Sequence, residues 1–119
     1  MLAVGGHVLD DLDPRFVRMA TGFAGGVGES KQEMCGAFSA GVMLIGALHG
    51  RNSLEEDDLP AQRLATRYRE RFAAELGTTR CGTLYEWVHA PTGPGSCSFV
   101  VERAARILLE LLAEQRSER

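Results

Sequence analysis

The sequence predicts an all-α fold, a compact single-domain bundle of about five to six helices around one buried central helix. Three observations lead there. Apolar residues recur at helical spacing through most of the chain, no segment alternates convincingly as a strand, and the run from Phe38 to Leu48 is apolar on most faces. The 119 residues form one domain, 1–119, long enough for a hydrophobic core without cross-links. No internal repeat or low-complexity tract divides it.

Residues 1–9 read as the end of a helix that begins without a cap. Asp13-Pro14 is an N-cap and first-position pair, so a second helix runs from about 14 to 23, with Phe16, Val17, Ala20 and Phe23 as its apolar positions. Gly22 to Gly28 is a glycine-rich loop. It is not a phosphate-binding P-loop, because no Gly-Lys-Ser/Thr follows and no strand precedes; its glycines suit a left-handed connection that lets helices and a site approach closely. The central helix spans about 33–49, and its Gly36, Gly41 and Gly46 point to close contacts, since each costs about 1 kcal/mol relative to alanine in a helix interior.

A polar, acidic connection covers 51–58. The fourth helix, about 59–76, carries a stripe of Leu64, Tyr68, Phe72 and Leu76; Arg63, Arg67, Arg69, Glu70 and Arg71 lie mainly off that stripe and read as a solvated face, and Gly77 is a natural stop. A short fifth helix, about 80–88, is capped by Thr78-Thr79. After the breaker-rich loop Ala90 to Ser96 comes the last helix, with Ser96 as its N-cap and Cys97 at its first position. Val100, Val101, Ala104, Ile107, Leu108, Leu111 and Leu112 form its apolar face, and Gln115 to Arg119 is expected to fray.

Cys35, Cys81 and Cys97 each stand at the start of a predicted helix. A helix N-terminus offers partial positive charge and unpaired N–H groups, which favour a thiolate. Three such placements suggest helix ends converging on one sulfur-lined site; the plain alternative is three small cysteines filling gaps between helices. Net charge −3 and a pI near 5.6 argue against nucleic-acid binding and a polybasic membrane anchor, and no apolar run is long enough to span a bilayer. An odd cysteine count without the close spacings of a secreted disulfide scaffold predicts a reducing, cytoplasmic setting.

The stretch Ala20-Thr21-Gly22-Phe23-Ala24-Gly25-Gly26-Val27-Gly28, then Cys35-Gly36-Ala37 and Gly41-Val42-Met43-Leu44-Ile45-Gly46, resembles the redox-active family named for its C-GCAxxG-C-C cysteine pattern. Phe72, Gly77, Cys81-x-x-Leu84 and Cys97 extend the resemblance over nearly the whole chain. It implies an all-helical fold and a cysteine site with redox or metal chemistry, and it supplies no substrate. Two departures stand out. Met34 occupies the place of the pattern's glycine, and no cysteine precedes Cys35. The chain starts inside what would be the helix of the first cysteine, so that cysteine is expected upstream of residue 1, or else this is a three-cysteine variant.

The first expectation is therefore a redox or electron-transfer protein binding an iron–sulfur cluster or zinc through Cys35, Cys81 and Cys97. His89 is the nearest candidate for a further ligand, although an exposed loop histidine is its plain reading. Gly25, Gly26, Gly28, Gly36 and Gly41 are the expected cofactor-binding positions. His49 is placed at a helix C-terminus, and His7 has no visible partner. The second expectation is metal-free thiol–disulfide exchange by Cys81 and Cys97, across their flexible loop, with Arg80 lowering the pKa of Cys81. The third is a small structural or interaction protein whose cysteines only pack. A redox partner protein and a homodimer are compatible with these. Serine hydrolysis is not expected, since Ser39 lies in a buried-looking segment and Gly-x-Ser-x-Gly is absent; Asp10-Asp11 and Glu55 to Asp58 read as solvated.

Overall fold

A computed structural model describes residues 1–118. Its helices are α1 (Leu2–Val8), α2 (Pro14–Ala20), α3 (Gly36–His49), α4 (Leu59–Leu76), α5 (Cys81–Val88) and α6 (Ser98–Ser117), with a short 3-10 turn, Thr21–Phe23, closing α2. Among the described residues, no helix is long and apolar enough to cross a membrane.

The core is built where α3, α4 and α6 pack pairwise. The predicted stripe of α4 is buried through Leu64, Tyr68 and Phe72, and α6 buries Val100, Ala104, Ile107, Leu108, Leu111 and Leu112. Phe38 of α3 stacks on Tyr68 at 5.2 Å between ring centroids and meets Phe72 edge-on at 5.1 Å. These geometries suit aromatic quadrupoles and add to the burial of the rings. The Tyr68 ring lies directly over Gly41, so a Cβ there would overlap it. Gly41 is thus a close-packing glycine between helices. Gly46 meets nothing within reach of a Cβ, and no contact explains it.

Local chemistry sets the helix ends. The Asp13 carboxylate accepts from the Arg15 N–H at 2.8 Å, as its N-cap role requires. Gly77 ends α4 at φ 86°, a left-handed cap. The central helix starts later than its composition suggests. Residues 33–35 stay outside it, and Met34 pairs with Arg80 in an isolated antiparallel bridge. The last helix continues through Gln115 to Ser117 instead of fraying there, while Arg119 lies outside the described residues. Arg67 and Arg71 are not simply solvated: both reach the Glu114 carboxylate on α6, Arg67 at 3.1 Å, and Arg71 also at 2.9 Å through its other guanidinium nitrogen.

Candidate functional site: a cavity walled by three thiols

The bridge between residues 34 and 80 positions the site. The Cys35 N–H donates to the Thr79 carbonyl at 2.7 Å, and the Cys81 N–H donates to the Glu33 carbonyl at 2.9 Å. In an antiparallel pair with this bonding, residues 35 and 81 fall diagonally on one face, about 7–8 Å apart in a regular ladder. Each then opens its own helix: Cys35 is the N-cap of α3 and Cys81 the first residue of α5. Cys97 is the N-cap of α6, one position earlier than expected, with the Ser96 hydroxyl accepting from the Ser98 N–H at 3.2 Å. All three cysteines are free.

The glycine-rich loop holds this corner in an unusual backbone. Gly25, Gly26, Val27, Gly28, Glu29 and Lys31 all take φ between 61° and 69°. Left-handed backbone costs an L-residue roughly 1–2 kcal/mol, so Val27, Glu29 and Lys31 carry strain that the surroundings must offset. Hydrogen bonds across the loop do so: Lys31 N–H to the Gly25 carbonyl at 2.8 Å, Glu29 N–H to the Ala24 carbonyl at 3.1 Å, and the Ser30 hydroxyl to the Gly26 carbonyl at 2.7 Å. The loop presses on both helix starts. A Cβ on Gly26 would lie 2.6 Å from the Cys81 Cβ; one on Gly36 would lie 2.9 Å from the Phe23 carbonyl oxygen; one on Gly82 would lie 2.8 Å from the Lys31 carbonyl oxygen. Cys35-Gly36 and Cys81-Gly82 are therefore the same device used twice: a thiol at a helix start, followed by a glycine that lets the loop backbone close over it.

A cavity of about 720 Å³ opens beside this corner, and Cys35, Cys81 and Cys97 all line it. Its walls are largely apolar, from Leu2, Val17, Leu84 and Val101 among others, with Glu29 and Lys31 as the charged side chains. Of the glycines expected at the site, Gly25 and Gly36 line the cavity, Gly26 backs it against Cys81, Gly28 faces open space, and Gly41 belongs to the core under Tyr68. His89 does not line the cavity: it is exposed, its Nδ1 lies 2.9 Å from the Tyr85 carbonyl oxygen, and its ring packs on Tyr85. Among the described residues, no three His, Cys, Asp or Glu side chains stand close enough together to hold a metal ion.

The electrostatics depart from the acidified thiols expected at helix starts. Burial pushes the Cys35 thiol above its ordinary pKa, outweighing the first-turn N–H groups of Phe38 and Ala37 that pull it down. Burial also raises Cys81, with the neighbouring Cys35 and Cys97 sulfurs adding to the rise. The cation opposing this is Lys31, not Arg80. Desolvation thus exceeds the pull of the helix-start N–H groups at Cys35, and it is the largest cause at Cys81. Lys31 reaches the site because its Nζ sits 4.6 Å from the Tyr85 ring centroid, one turn along α5 from Cys81. Sequence reasoning missed Lys31, Tyr85 and Gly82. The repeated Cys-Gly pair was the available signal for Gly82; nothing local marks Lys31.

Fold and site together define an all-helical protein with a thiol-walled cavity. The model of the family described as "Putative redox-active protein (C_GCAxxG_C_C)" matches residues 1–111, and the chain belongs to that family. Comparisons with curated proteins and with solved structures gave no match.

Proposed function

We propose that this chain carries out thiol-based redox chemistry in the cavity, with Cys35 and Cys81 as a dithiol–disulfide pair and Cys97 as the accessible third thiol. The observation that carries this reading is the backbone bridge that sets Cys35 and Cys81 diagonally on one face. It favours this pair over Cys81 with Cys97. Disulfide formation needs the two Cα atoms within about 7 Å, close to the diagonal spacing of a regular antiparallel pair. Cys97, exposed at the rim, is the thiol a redox partner protein would reach.

A second reading places a metal or iron–sulfur cluster on the same thiols. It is favoured by the convergence of all three on one cavity. It requires the donors to be drawn together, because they do not fit an ion in the present arrangement. A homodimer is compatible with either reading.

The test is oxidation of the reduced full chain with diamide without oxygen, followed by peptide mapping under non-reducing conditions. A Cys35–Cys81 linkage is expected. Absence of any intramolecular disulfide would leave the cysteines as packing residues, and iron with acid-labile sulfide in anaerobically purified protein would move the weight to the cluster.

A further inference from the structure

The cavity exists because small side chains face it. Ala3 of α1, Ala20 of α2, Ala24 of the loop, and Gly36, Ala37 and Ala40 of α3 all line the space and leave it unfilled. Leucines at these positions would close it. At about 720 Å³, its volume falls within the range of small-molecule sites, roughly 300–1,000 Å³. These short side chains leave the largely apolar space open to a small molecule.

The chemistry of the wall narrows the occupant. Cys81 is buried and Cys35 half-buried, so a protein disulfide, carried on a convex surface, meets only Cys97. Something small must enter to reach the other two. Common soluble disulfides carry several charges, and placing these against leucine, valine and alanine would be costly. Among its side chains the lining offers one ammonium, Lys31, and one carboxylate, Glu29, and neither forms an ion pair among the described residues. Tyr85 also lines the cavity and holds Lys31 beside its ring.

We propose that the electron acceptor of this site is a small, uncharged, flat two-electron oxidant of the quinone class, received in the alanine-lined cavity with Lys31 facing one of its oxygens. This rests on the dithiol reading above and names its substrate. The step balances: the Cys35 and Cys81 thiols lose two protons and two electrons, one S–S bond forms, and the quinone takes up both to become a hydroquinone. Lys31 stabilises the oxygen on which negative charge develops before its proton arrives.

The test uses the reduced full chain without oxygen and tetramethyl-1,4-benzoquinone, whose ring carbons are all blocked against thiol addition. Quinone absorbance and remaining free thiols are followed together. One quinone reduced per two thiols lost is expected, with glutathione disulfide much slower at equal concentration. Ala37→Leu and Ala20→Leu, filling the cavity from two different helices, should each raise the half-saturating quinone concentration by about tenfold or more, with folding checked by circular dichroism. Equal rates with glutathione disulfide, or saturation unchanged in both folded variants, would overturn the proposal. If diamide forms the Cys35–Cys81 disulfide but the quinone stays oxidised, the quinone inference fails and the dithiol reading stands. If neither reagent forms it, both fail.

Discussion

Replacing Gly26 by alanine tests the contact that holds the loop against the thiol corner. Gly26 has φ 69°, and a Cβ there would lie 2.6 Å from the Cys81 Cβ and 3.1 Å from the Glu33 carbonyl oxygen. Gly28 is the natural control, since its φ is 63° and nothing lies within 4 Å of its added Cβ. In both variants the left-handed backbone costs roughly 1–2 kcal/mol, and the loss of unfolded-state freedom returns about 0.4–1 kcal/mol. These contributions cancel in the comparison. What remains is the overlap with Cys81, worth about 1–3 kcal/mol for an over-packed position. A domain of this size is stable by about 5–15 kcal/mol, so both variants should fold. Urea unfolding of reduced protein at pH 7 should place the Gly26→Ala midpoint clearly below that of Gly28→Ala. Alkylation of Cys81 should also be faster in Gly26→Ala, because the loop must lift to make room. Equal midpoints with unchanged alkylation would refute the idea that the loop is seated on Cys81.

Iodoacetamide should label exposed Cys97 first at pH 7, with Cys35 and Cys81 slower than a free cysteine and still gaining rate above pH 9; mass spectrometry of quenched samples reads this directly. Because folding raises the pKa of both thiols, the folded chain keeps protons that the unfolded chain releases. Reduced protein should therefore lose stability as pH rises past the ordinary thiol range, and that loss should shrink in the Cys35→Ser, Cys81→Ser double variant. Glu114 is held below its ordinary pKa by hydrogen bonding to Arg71 and by the charges of Arg71 and Arg67. Its contribution is present above the ordinary carboxylate pKa and fades as pH falls through the lowered folded value, so Glu114→Gln should lower the urea midpoint at pH 7, less so in high salt, and match the unsubstituted chain in strong acid. Phe72→Ala removes a fully buried ring between Phe38 and Tyr68 and should cost about 3–5 kcal/mol in the same urea assay.

The parts of this molecule that were legible in the sequence are those governed by nearest neighbours along the chain. Asp13-Pro14, Gly77 and the spacing Leu64-Tyr68-Phe72 encode caps and faces that need no tertiary information, and they stand where expected. Placing the cysteines at helix starts was local for the same reason. What was not legible depends on partners. Periodicity says that Arg67 and Arg71 leave the apolar stripe of α4, but not that Glu114 of α6 waits beside them. Residues 33–35 carry helix-compatible side chains, and it is pairing with residues 79–81 that draws them out of α3. The sign of φ at Val27, Glu29 and Lys31 could not be read, because these residue types disfavour the conformation they adopt. Helix starts are visible in the sequence at Cys35 and Cys81, whereas the burial that raises both thiols is a property of the assembled corner.

The left-handed loop has a consequence for how this chain can change length. Its hydrogen bonds span uneven intervals, from Gly28 N–H to the Gly22 carbonyl and from Glu33 N–H to the Gly26 carbonyl, so each residue has one permitted seat. Adding or deleting a single residue between 25 and 31 would shift Gly26 from its seat against Cys81 or carry Lys31 away from Tyr85. The exposed connection at 51–58 has no such constraint, and an insertion there costs little beyond chain entropy. Natural variation in length should therefore gather between α3 and α4 and avoid the approach to Cys35, where the number of residues is as much a part of the site as the sulfur atoms.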